Sequence, residues 1–168
     1  MNTQHSAQRV GVFVDVQNMY YSARNLFGKK VNFGAILKHA VGERHLVRAI
    51  AYVIKAEVEQ EKSFFEALAN LGFEVRSKDL QTFLGGAKKG DWDVGLAMDI
   101  LRIGSKLDVV VLVSGDGDFV DLVKYAKETL GCRMEIMAFG DTASAKLIEE
   151  AHQFTDLGKS KTKYLLEK

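Results

Sequence analysis

Residues 109–123 read VVVLVSGDGDFVDLV, and this stretch decides the fold class. Val109–Val113 is an unbroken aliphatic run, so a strand made of it has no polar face and must be covered on both sides. Ser114 and Gly115 stop the run. Phe119 then opens a helical pattern that continues to Leu130 and ends at Gly131. A strand that passes through a short Gly-rich turn into a helix is half of a crossover unit joining parallel strands.

The alternation extends outward in both directions. Upstream, Val10–Asp15 (VGVFVD) is an aliphatic strand closed by an acid, and Asn18–Phe27 and Phe33–Val41 are helices parted by Gly28 and Asn32. His45–Ile54 (HLVRAIAYVI) reads as a strand. Glu57–Leu71 reads as a helix with Phe64, Phe65, Leu68 and Leu71 along one stripe, and Phe73–Ser77 as a third strand. Gln81–Gly90 (QTFLGGAKKG) breaks the pattern and is expected to be an exposed loop. Helical spacing returns over Asp93–Ile103. Downstream, Arg133–Phe139 is a strand, and Asp141 or Thr142 is placed to cap a last helix over Ala143–His152. The prediction is an α/β protein with a mainly parallel central sheet covered by helices on both faces.

Composition narrows the class. A chain of 168 residues, 47% hydrophobic and 27% charged, can bury its own core, which excludes a disordered protein. Its longest aliphatic run falls far short of the ~20 residues of a membrane helix. The opening MNTQHSAQR is polar and lacks the apolar stretch of a secretory signal, and the single cysteine, Cys132, cannot form an internal disulfide. A cytoplasmic location without membrane association is expected. Cys132 lies in an apolar segment as core filler. Net charge is only +1, but residues 1–90 carry 13 Lys and Arg against 8 Asp and Glu, and residues 91–168 carry 10 against 14. Such asymmetry can set a polyanion-binding surface beside an acidic site.

In parallel sheets ligands bind outside the carboxyl ends of the strands, near the point where strand order reverses. The residues at those ends are aspartates. Asp15 closes the first strand, Asp116 and Asp118 follow Val113 in SGDGD, and Asp93 opens the helix after the Gly/Lys loop. If the first strand and VVVLV are neighbours, Asp15 and Asp116 meet. Clustered carboxylates raise one another's pKa unless a cation neutralises them, and hard oxygen donors suit Mg²⁺ or Mn²⁺. The four histidines are scattered and form no zinc motif. Each acid also has a plainer role as a helix cap, Asp118 and Asp93 above all. Asp99 stands six residues beyond Asp93, about 120° around an ideal helix, and is the weaker ligand candidate. Asn18 can cap its helix, bond the acids or touch a phosphate. Ser114 is a turn hydroxyl or a partner of the acids, and Lys88 and Lys89 are solvated charge or a clamp for phosphate. Trp92 fits a loop anchor better than a base-stacking platform.

Three blocks carry a family resemblance. VGVFVDVQNMYYSA resembles the opening of NYN domains, KKGDWDVGLAMDIL their lysine-glycine and double-acid segment, and VVVLVSGDGDFVDLV their SGDxDF turn. The blocks stand in the family's order and are most similar to its LabA-like branch. The resemblance covers about residues 9–157, leaving 1–8 and 158–168 as terminal tails, the latter basic and loose in part. It implies a Rossmann-like, PIN-like three-layer α/β/α sandwich and a metal-dependent ribonuclease. Asp15, Asp93, Asp116 and Asp118 would form its acidic centre, with Asn18 and Asp99 at further polar positions. Many relatives have Pro where this chain has Asp121. The implied cofactor is Mg²⁺ or Mn²⁺ and the implied substrate single-stranded RNA. Selectivity is expected from a second copy of the chain, a protein partner, the basic half or the tail. The alternative is a non-catalytic RNA- or protein-binding regulatory module on the same fold. A dehalogenase-type phosphatase is disfavoured, because Asp15-Val16 is followed by Gln17 where that chemistry needs a second acid. A dinucleotide-binding module is disfavoured by the lack of G-x-G-x-x-G after the first strand.

Overall fold

The computed structural model describes residues 4–55, 61–79, 81–82, 88–89 and 91–167. In chain order the elements are β1 Arg9–Asp15, α1 Val16–Phe27, β2 Lys30–Val31, α2 Phe33–Val41, β3 His45–Lys55, α3 Glu61–Leu71, β4 Glu74–Asp79, β5 Gln81–Thr82 and β6 Lys88–Lys89. There follow α4 Asp93–Ile103, β7 Val109–Val113, α5 Val120–Glu128, β8 Arg133–Ala138, α6 Ala145–Glu150, β9 Gln153–Asp156, α7 Lys161–Tyr164 and β10 Leu165–Leu166. Six strands form the central sheet in the order β4-β3-β1-β7-β8-β9, and every neighbouring pair is parallel.

The order reverses between β1 and β7: the chain steps outward through β3 and β4, then crosses back to β7 and proceeds through β8 and β9. That reversal opens a crevice at the carboxyl ends of β1 and β7. β1 is pinned on both sides, with Val14 opposite Val113 and Asp15 opposite Tyr52. The predicted adjacency of the first strand and VVVLV is therefore present.

Alternate residues of the buried strands feed two cores. On one face Val12 and Val14 of β1 and Val111 and Val113 of β7 pack with Met19 of α1, Ile36 of α2 and Leu68 of α3. On the other, Phe13, Ile50 and Leu112 pack with Leu96 and Ile100 of α4, Val123 of α5 and Leu147 of α6. Each fully buried aliphatic side chain contributes ~1.5–3 kcal/mol, which is how an aliphatic run specifies a central strand. Arg44 and Glu135, both buried, form a two-bonded ion pair at 2.9 and 3.0 Å on the first face. Among the described residues no helix is long and apolar enough to cross a membrane.

Several boundaries differ from the sequence prediction. The ends of the Gln81–Gly90 segment pair as an antiparallel β5–β6 hairpin, Gln81 with Lys89 and Thr82 with Lys88, while 83–87 and 90 lie outside the described residues. The start of the helix predicted from Glu57 also lies outside them, the described helix being Glu61–Leu71. The last helix starts later than predicted and is capped by Ser144, whose hydroxyl accepts the Leu147 N–H. Thr142 is engaged elsewhere: its hydroxyl donates to Ser22 Oγ at 3.2 Å, and its N–H to the Phe139 carbonyl at 3.1 Å. The helix also ends at Glu150, short of the predicted His152, and Gln153–Asp156 form the parallel edge strand β9.

The largest correction concerns residues 158–167 of the stretch 158–168, expected to be a tail and loose in part. They turn into α7 and then β10, which pairs antiparallel with β2. Tyr164 and Leu165 are buried in the first core, and the Asn32 N–H donates to the Tyr164 carbonyl at 2.8 Å. Gly28, at φ 62°, ends α1 in the left-handed conformation that glycine tolerates, which turns the chain into β2. Tyr164→Ala is predicted to cost about 3–5 kcal/mol in urea unfolding, the penalty of an emptied aromatic core site. A cost below about 0.5 kcal/mol would be that of a surface position.

Candidate metal centre

Asp15, Asp93 and Asp116 converge at the β1/β7 crevice: each offers a carboxylate oxygen, and the three oxygens lie within 4.8 Å of one another. They come from three places in the sequence. Asp15 ends β1, Asp116 stands three residues beyond β7, and Asp93 is the first residue of α4. Three hard oxygen donors so spaced can hold a metal ion.

Asp15 is the buried member, 8% exposed. Its Oδ1 accepts the Asn18 N–H at 3.2 Å, capping α1, and its Oδ2 accepts the Ser114 hydroxyl at 3.1 Å. Ser114, with no exposed surface, in turn accepts the Asp116 N–H at 3.2 Å. Asn18 Oδ1 accepts the Gly115 N–H at 2.9 Å, fastening the β1–α1 turn to the loop after β7. Gly115 has to be small: a Cβ there would stand 2.9 Å from Ala143 Cα, and its carbonyl accepts the Ser144 N–H at 2.9 Å. Asp15 thus both caps α1 and contributes an oxygen to the cluster.

Asp116 Oδ1 accepts the Asp118 N–H at 2.9 Å and shapes the single helical turn Gly117–Phe119. Asp118 itself is exposed, and its carboxylate does not join the trio, although the sequence placed it among the ligands. Nor does it cap α5, whose N-cap is Phe119. Asp93 is relieved of capping by Asp91, whose Oδ1 accepts the Asp93 N–H at 3.1 Å. Trp92 anchors the start of α4: its indole N–H donates to the Val53 carbonyl at 2.8 Å, and its ring lies 5.4 Å from Tyr52.

Asp99 is turned away from the trio. As its position on the α4 helix requires, it faces β3 and β4, where it accepts the Tyr52 hydroxyl at 2.7 Å and pairs with Arg76 at 3.0 Å and Arg102 at 2.9 Å. Burial and the Asp99 charge hold the Tyr52 phenol protonated, so it acts as a donor. Nothing in the sequence pattern marked Tyr52, Arg76 or Arg102; only the β3–β4 register, Tyr52 opposite Arg76, brings them together. Lys88 and Lys89 lie in β6, four residues before α4 at the nearer of the two.

The electrostatics follow from burial first and from crowding second. Burial lifts the Asp15 carboxyl to about 6, helped by the negative charges of Asp116 and Asp91 and opposed by the Asn18 and Ser114 hydrogen bonds. Burial, then the charges of Asp116, Asp15 and Asp91, lift Asp93 to about 7. Both values are raised above the ordinary range near 3.8. The folded state therefore favours the protonated forms, and their stabilising contribution is lost as pH climbs through about 6 and 7. Without divalent cation, the melting temperature is predicted to fall between pH 4.5 and 8. Asp93→Asn should flatten that fall and melt a few degrees above the parent at pH 8. Parallel profiles for the two proteins would contradict the repulsion.

Known proteins resemble this chain along most of its length. The sequence profile of the NYN domain matches residues 9–158. Low amplitude and bright protein LabA of Synechococcus elongatus is 30% identical over 132 residues, 72% of this chain and 70% of that protein. A crystal structure of a protein of unknown function from Vibrio parahaemolyticus superposes with a TM-score of 0.88 at 31% identity, covering 98% of this chain and all of the other. With the profile spanning nearly the whole chain and a mainly parallel sheet beneath it, this chain belongs to the NYN domain family.

Proposed function

We propose that the chain is a metal-dependent ribonuclease that hydrolyses RNA phosphodiester bonds. The observation that carries this reading is the convergence of Asp15, Asp93 and Asp116 at the switch-point crevice of a nuclease-like fold. Carboxylates lifted to about 6 and 7 are short of positive charge, and their all-oxygen donor set fits Mg²⁺ or Mn²⁺. When bound there, such an ion would neutralise a phosphate and lower the pKa of a water.

The chain's own residues have separable tasks in this account. Asp15, Asp93 and Asp116 would hold the ion. Ser114 and Asn18 keep Asp15 and the 114–118 loop in register, so that a ligand oxygen does not swing away when the crevice fills. Asp118, exposed two residues beyond Asp116, is assigned to the rim as an acceptor of the proton released by the attacking water. Attack by that water on phosphorus would break the bond to the 3′ oxygen of the preceding nucleotide, which takes a proton from solvent water, leaving a free 3′-hydroxyl and a 5′-phosphate. Lys88 and Lys89 are assigned to substrate phosphates.

The test is cleavage of end-labelled single-stranded RNA in Mn²⁺, in Mg²⁺ and in EDTA. Metal-dependent products are expected from the parent. Asp15→Asn, Asp93→Asn and Asp116→Asn should each lose more than the about 10–100-fold that removal of an outer partner costs. Folded protein that binds Mn²⁺ and RNA yet cuts no RNA would overturn the enzymatic reading in favour of a binding module.

A further inference from the structure

Asp99, left outside the carboxylate trio, organises a different feature. Its buried carboxylate, fixed by the Tyr52 hydroxyl, takes one guanidinium from the edge strand and one from α4. Those guanidinium groups are not spent by the contact: the Arg76 side chain is 39% exposed and that of Arg102 66% exposed. Two residues along β4 from Arg76, on the same side of the strand, stands exposed Lys78. Its ammonium lies 4.5 Å above the Trp92 ring and donates to the Asp91 carbonyl at 3.4 Å. Trp92 immediately precedes Asp93. A row of three cations with one buried counter-charge therefore runs along β4 and the flank of α4 and ends beside the carboxylate trio.

We propose that single-stranded RNA approaches the carboxylate cluster along the β4 edge, its phosphates contacting Arg102, Arg76 and Lys78 in turn. The inference rests on the ribonuclease reading and adds the route. Three features favour a phosphate backbone over an acidic peptide. Positions 76 and 78 are about 6.6 Å apart along the strand, giving a regular row of charge and not a single pocket. The paired arginines are preorganised by Asp99 and present fixed planar donors, which suit phosphate oxygens. The row also leads to the acids that would act on the phosphodiester. Asp99 is a positioning residue here, acting on RNA through the two arginines.

The experiment is anisotropy of a fluorescent 12-mer oligoribonucleotide with the full chain in EDTA, so that binding is read without cleavage, across a series of salt concentrations. The double variant Lys78→Gln/Arg102→Gln is compared with Lys159→Gln/Lys161→Gln, which removes two cations from the C-terminal segment. Arg76 is left in place to neutralise Asp99. Loss of the two edge cations should weaken binding about 10-fold and reduce the salt slope by about 1.4, near 0.7 per phosphate contact. Melting temperature and Mn²⁺ affinity should stay at parental values, and the C-terminal pair should bind as the parent does. Parental affinity and slope in the edge variant, with the loss appearing in the C-terminal pair, would overturn the route and leave the ribonuclease reading standing. A parent that neither binds nor cuts RNA would overturn the ribonuclease reading itself.

Discussion

Burial and mutual repulsion of three aspartate carboxylates gathered beside the ends of β1 and β7 form the constraint around which the structure is arranged. Bringing like charges within 4.8 Å at a partly buried position opposes folding, so the scaffold has to hold them by force. It does so with fixed hydrogen bonds: Asn18 and Ser114 on Asp15, and Asp118 N–H on Asp116. It also does so with rigid carriers. β1 is one of the two central strands, its residues Val10–Val14 clamped between β3 and β7, and Asp93 rides on a helix tied through Trp92 to the end of β3. A fold that concentrates negative charge in this way against its own stability is suited to a cation.

The aspartates divide into two systems that do not mix. Asp15, Asp93 and Asp116 face the crevice, whereas Asp99 is satisfied by Tyr52, Arg76 and Arg102. One helix, α4, supplies a member of each, and the 3.6-residue repeat keeps them apart. The carboxylate cluster and the arginines are thus held side by side without neutralising one another.

What the sequence made legible was whatever depended on local pattern. VVVLV could only be a doubly covered strand, and an acid directly after VFV or VSG had to stand at a strand end. Helix Phe33–Val41 and helix Asp93–Ile103 appear with the predicted bounds because apolar periodicity and flanking turn residues agree there. Features set by tertiary pairing were hidden. Tyr164 and Leu165 sit among lysines in a stretch with no periodicity, and only β2 gives them a partner. β9, four residues at a sheet edge just beyond the predicted helix Ala143–His152, shows no pattern of its own. The exclusion of Asp99 was foreshadowed by its 120° offset. The exposure of Asp118 was not, because the turn that separates it from Asp116 is made by a hydrogen bond no spacing rule reports.

The most direct test of the account is a crystal structure grown in Mn²⁺ with anomalous diffraction measured to locate the ion. The account predicts a manganese peak at the β1/β7 crevice beside Asp15, Asp93 and Asp116, with Asp99 still bound to its arginines. A peak elsewhere, or an empty crevice at saturating Mn²⁺, would contradict it.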